Sequence, residues 1–109
     1  MLPSPFQDFN SALYAAIEDT ISDVLGKTVL SDLFSTLTSK YDVSRDELPY
    51  RAETMYQVLE TRYSVIGAKT VGTLIARRLY HRLGLTFYPN EGYSLPDYAK
   101  AAKIRLAKA

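Results

Sequence analysis

A chain of 109 residues, 47% hydrophobic and 23% charged, has the composition of an ordinary globular domain and the length to bury one core without metal or disulfide staples. The absence of cysteine excludes a disulfide scaffold and thiolate metal sites, and no apolar run approaches the ~18 residues that would span a bilayer, so no membrane association is expected. The net charge of +1 hides an acidic first half and a basic second: residues 1–26 carry four acids and no Lys or Arg, whereas residues 62–109 carry nine bases against Glu91 and Asp97. Such a dipole suits pairing of the two ends, within one chain or head to tail, or a basic face offered to an anionic partner.

The opening MLPSPFQDF has neither a basic n-region nor an apolar h-region, so no secretory signal is expected and a cytoplasmic location is. Asp8 is placed to cap a first helix, on which Phe9, Leu13, Ala16, Ile17, Ile21, Val24 and Leu25 share one face. Gly26 is expected to end it, with Lys27 and Thr28 turning the chain. Val29, Leu30, Leu33, Phe34, Leu37 and Tyr41 then form the apolar face of a second helix, which is rich in Ser and Thr and so depends on packing rather than propensity.

In YDVSRDELPYRAE, Ser44 and Glu47 fit the reciprocal capping pattern of a short turn, which Pro49 is expected to stop while holding Leu48 extended. A third helix follows over about residues 51–63, with Ala52, Met55, Tyr56, Leu59 and Tyr63 on one face. Its join to the next segment is tight enough to leave one bent helix and two steeply angled ones as alternatives.

The segment Val65 to Gly84, VIGAKTVGTLIARRLYHRLG, is the most strongly patterned. Steps of 100° gather Ala68, Val71, Gly72, Ile75, Ala76, Leu79 and Leu83 on one side. Ala68, Gly72 and Ala76 recur every four residues, giving a seam of small side chains along which another helix, expected to be the first or second, can approach closely. Glycine inside a helix costs roughly 1 kcal/mol against Ala, and close packing is the natural compensation. The adjoining sector holds Arg77, Arg78, His81 and Arg82, with no acid between Tyr63 and Leu85.

Gly84 is placed to close this helix as a left-handed cap, with Leu85 and Phe87 folding back on its last turn. Residues 86–93 read as turn, and Ser94 with Asp97 begins a final Ala- and Lys-rich helix whose apolar face, Tyr98, Ala102 and Leu106, is thin. The final helix is therefore the element expected to dock on a partner chain or fray. Tyr41, Tyr56 and Tyr63 fall on core faces, while Tyr88, Tyr93 and Tyr98 gather in the tail as candidate interface anchors.

No catalytic constellation emerges. Nucleophile, base and orienter must converge, and with one His and no Cys every usual triad would need His81, which lies beside three arginines. Zinc wants Cys or several His, so no metal is expected, and no cofactor either. Gly26-Lys27-Thr28 and Gly67-Ala68-Lys69-Thr70 imitate phosphate-binding loops, but the first has Ile21 where the loop needs glycine and the second lacks adjacent Gly-Lys. What remains for recognition is a basic stripe of Arg77, Arg78, His81 and Arg82, extended by Lys100, Lys103, Arg105 and Lys108. Its arginines can contact phosphates, or they can pair with Asp19, Asp23, Glu53 or Glu60 of the same chain or of a second copy.

The order of landmarks over residues 12–87 resembles a family of small archaeal helical output domains, the Nitrosopumilus output domain of the fifth type. The resemblance lies in ALYAAIEDTISDVLG, a second helix ending in LTSKYDVSRDELP, and IGAKTVGTLIARRLYHRLGLTF. It implies an all-helical module appended to sensory or regulatory proteins, of unestablished biochemical role, and it assigns no functional residue.

The expected architecture is an all-α bundle of about five helices around the small-residue-lined helix 65–83, in one domain over residues 1–109 with a core at 8–87 and a helical extension at 94–109. The expected function is a non-enzymatic regulatory or protein-interaction module, a homodimer or a binder of an acidic protein surface. The alternative is a nucleic-acid-binding domain using the basic stripe.

Overall fold

Helix α1 (Pro5–Leu25) ends at Gly26, and α2 (Lys27–Tyr41) starts on the next residue. The computed structural model describes residues 5–108, with side chains from Phe9 onward, and within that range the chain is an all-α bundle of five helices. Gly26 sits at φ 100°, ψ 160°, which a side chain would resist, and its N–H donates to the carbonyls of Ile21 and Ser22. The expected turn at Lys27 and Thr28 is therefore absent, since glycine alone reverses the chain. The expected cap at Asp8 concerns a side chain outside the described residues; the helix backbone already begins at Pro5.

Helix α2 ends at Asp42 in the left-handed conformation, and Val43 turns back to donate to the carbonyl of Leu37 and bury its side chain. Tyr41, expected in the core, is exposed at this turn. A 3₁₀ helix, η1 (Arg45–Tyr50), follows with the Ser44 capping pattern in place: the Glu47 carboxylate accepts from the Ser44 N–H and hydroxyl, and those bonds hold its pKa below the usual carboxylate value. Pro49 does not stop this turn, and Leu48 is not extended. The 3₁₀ helix runs through both to Tyr50, because fully buried Leu48 anchors it and its carbonyl accepts from the Arg51 N–H.

Helix α3 (Ala52–Arg82) consists of two arms that meet at Ser64, whose φ of 69° and ψ of 168° are not helical. The question of one bent helix or two resolves into an abrupt break without a loop. The Ser64 hydroxyl accepts from the Gly67 N–H and so caps the second arm, and a Cβ on Gly67 would lie 3.1 Å from that of Tyr63. Gly84, at φ 71°, ends the second arm, with the Leu85 N–H returning to the Tyr80 carbonyl. Helix α4 (Leu95–Lys108) starts on the Ser94–Asp97 pattern, the Asp97 carboxylate accepting from the Ser94 N–H and hydroxyl.

The core draws Phe9, Leu13, Ile17 and Ile21 from α1, Leu33 and Leu37 from α2, and Met55, Leu59, Ile75 and Leu79 from α3, all essentially inaccessible. The α3 helix touches every other element, and the molecule's short dimension of 21 Å matches two helices side by side. Val24, expected on the core face of α1, is half exposed near that helix's end.

Candidate functional site

Ala68, Gly72 and Ala76 are all buried on the second arm of α3. The close approach at Gly72 is not to α1 or α2: a Cβ there would lie 2.9 Å from Cε1 of Tyr56 and 3.2 Å from Cβ of Leu95. At Gly72 the seam thus admits a side chain from the first arm of α3 and the first turn of α4. Helix α4 is correspondingly neither frayed nor unpartnered, since Leu95, Tyr98, Ala99 and Ala102 are buried against its own chain.

An aromatic cluster completes that docking. The Tyr80 hydroxyl donates to the Tyr98 carbonyl at 2.8 Å, and the Tyr98 hydroxyl accepts from the Asn90 N–H and donates to the Asn90 carbonyl. Phe87 packs edge-on to Tyr80 at 5.3 Å and tilted against Tyr98 at 5.1 Å, and Tyr93 packs edge-on to Tyr98 at 5.2 Å. Burial raises the Tyr80 pKa, against a smaller opposing effect of the nearby Arg105 cation. Of the tail tyrosines expected to anchor an interface, Tyr98 is instead core, and Tyr88 alone stands largely in solvent at 72% exposure.

The basic residues form three groups rather than one stripe. Arg78 donates to the Asp23 carboxylate and Arg82 to that of Asp19, each at 2.7 Å. Both pairs are spaced by four residues and cross in opposite order, so α1 and the second arm of α3 run antiparallel at this ladder. Arg77 lies over the Phe87 ring at 5.7 Å, and Arg105 lies over Tyr80 at 5.9 Å while donating to the Thr86 carbonyl. Lys103 reaches over the Phe9 ring at 5.0 Å, and Lys100 lines the same cleft beside α1. His81, one turn beyond Arg77, and Lys108 are exposed.

Two surface features lay outside the sequence reading. Val65 and Ile66, 65% and 79% exposed, stand directly after the Ser64 break and line a shallow groove with Thr70, Thr73 and Leu74. The Lys69 ammonium at its edge is drawn to the Glu91 carbonyl. A separate cleft of about 310 Å³ opens between α1, η1, the start of α3 and α4. Among the described residues no three His, Asp or Glu side chains converge as a metal cluster.

No protein-family model matches the sequence, and neither the curated proteins nor the solved structures contain a significant match.

Proposed function

We propose that this protein is a non-enzymatic interaction module that associates with a second copy of itself through the groove beside Ser64. The observation behind this reading is the coincidence of backbone strain with exposed apolar surface. Ser64 occupies a region of φ/ψ that is essentially reserved for glycine and costs of order 1–3 kcal/mol, and it presents Val65 and Ile66 to water. Strain of this kind clusters at binding and switch sites. A second copy suits the groove because an isologous interface sets a patch against itself, and this patch is apolar and hydroxyl-bearing, with its one cation turned toward Glu91.

A regulatory role is what the resemblance to output domains implies. The nucleic-acid reading loses support from the ladder, which engages Arg78 and Arg82 with carboxylates of α1. Light scattering over a tenfold range of concentration tests the proposal. A mass that rises toward two chains, and returns to one chain in Ile66→Lys, supports it. A single-chain mass throughout, or a dimer indifferent to Ile66→Lys, overturns it.

A further inference from the structure

The cleft between α1, η1, α3 and α4 has an apolar floor and a cationic rim. Phe9, Leu13 and Ala99 close its bottom with almost no surface left to solvent, Tyr50 and Pro96 supply its accessible apolar side, and Arg51, Lys100 and Lys103 stand around it with one lining acid, Glu53, while Glu47 acts on Arg51 from outside the lining. Among the described residues none of the three cations lies within ion-pair distance of a carboxylate, whereas Arg78 and Arg82 do. The Lys103 ammonium lies over the Phe9 ring, so the cationic and apolar surfaces meet inside one cavity rather than on separate faces. Arg51, the residue before α3, supplies no side-chain cap, so the first-turn N–H groups of Ala52, Glu53 and Thr54 add their partial positive charge along the same wall. At about 310 Å³ the cavity is at the small end of ligand sites.

We propose that this cleft binds a small organic anion, a carboxylate or phosphate ester carrying one ring or a short alkyl body, with the body against Tyr50 and Pro96 and the charged head among Arg51, Lys100 and Lys103. The site is independent of the Ser64 groove, being built from other elements. A ligand with only one of these two features satisfies half of the cavity: inorganic phosphate leaves Tyr50 and Pro96 wetted, and a neutral aromatic leaves the cations without a partner.

The test uses phenyl phosphate, benzyl alcohol and inorganic phosphate as probes, titrated into the full chain and followed by amide NMR. Phenyl phosphate is expected to bind at least tenfold more tightly than either of the others and to shift the amides of Ala52, Glu53 and Thr54. Arg51→Ala and Lys100→Ala change exposed side chains, and each is expected to weaken phenyl phosphate at least threefold with the helical circular dichroism unchanged. Equal affinity for phenyl phosphate and benzyl alcohol, no binding at millimolar concentration, or binding insensitive to both substitutions overturns the proposal. So does displacement of phenyl phosphate by a short single-stranded oligonucleotide at lower concentration, which would identify the cations as a phosphodiester track instead.

Discussion

The Arg82 guanidinium donates to the Asp19 carboxylate at 2.7 Å, joining the basic end of the sequence to its acidic beginning within one chain. Both side chains are nearly half exposed, 44% and 46%, so water screens the pair. A double-mutant cycle with Asp19→Asn and Arg82→Gln, measured by urea unfolding, is expected to give a coupling of about 0.2–1 kcal/mol that shrinks with added salt. A coupling that is absent at low salt, or unaffected by salt, would contradict this geometry.

Gly72 is expected to gain no stability from a side chain. Replacement by Ala brings roughly 1 kcal/mol of helix propensity, but its Cβ would meet the Tyr56 ring and Leu95 Cβ inside contact distance. Overpacking of this kind costs about 1–3 kcal/mol, so Gly72→Ala should be neutral to destabilising and Gly72→Leu clearly worse. Thermal unfolding of both variants decides it; an Ala variant more stable than the parent by the full propensity gain would mean that the close approach does not exist.

At Ser64 the opposite substitution should help. Ser64→Gly removes backbone strain of order 1–3 kcal/mol, while loss of the hydroxyl cap to Gly67 costs a few tenths and the freer unfolded chain about 0.5–1 kcal/mol. A rise in melting temperature is expected, whereas Ser64→Ala, which keeps the strain and loses the cap, should lower it. If Ser64→Gly also dissolves self-association, strain and interface are coupled.

The Tyr80 hydroxyl bond to the Tyr98 carbonyl is buried, and Tyr80→Phe is expected to cost about 1 kcal/mol at neutral pH. Burial raises the pKa of Tyr80 in the folded protein, so its contribution is complete below the ordinary tyrosine value and is lost as pH climbs through the raised one. Tyr14 and Tyr56 are raised for the same leading reason. Stability should therefore fall steeply on the alkaline side, less steeply in Tyr80→Phe, and urea midpoints taken from neutral pH upward will show whether it does.

Local chemistry was legible in the sequence. The capping patterns at Ser44–Glu47 and Ser94–Asp97, the glycines at 26 and 84 and the buried side of residues 68–79 each depend on residues within a turn or two of one another, and each has the expected geometry. Periodicity tells which face is covered but not what covers it. The partners of Gly72 are Tyr56, across the Ser64 break, and Leu95, both beyond the reach of the pattern of its own arm, and Tyr98 is buried by a loop whose path no period encodes.

Which arginines of the basic stripe pair within the chain was hidden for a related reason. Arg77 with His81 and Arg78 with Arg82 are two rows about 100° apart on one helix, and only the second row faces α1. The cleft was invisible because its lining comes from four elements, and its sole local trace is Arg51 at a helix start, with Lys100 and Lys103 three residues apart.

The hydroxyl of Tyr98, gripping both backbone polar groups of Asn90, makes the C-terminal segment a clasp rather than an appendage. Cutting the chain after residue 87 to isolate a minimal unit would strip Leu95 from its glycine notch and open the Tyr80 ring to water. The shortened product would be expected to bind hydrophobic dyes and lose fixed tertiary packing while keeping most of its helices, so at the C-terminal side the chain is trimmed safely only within the last turn of α4.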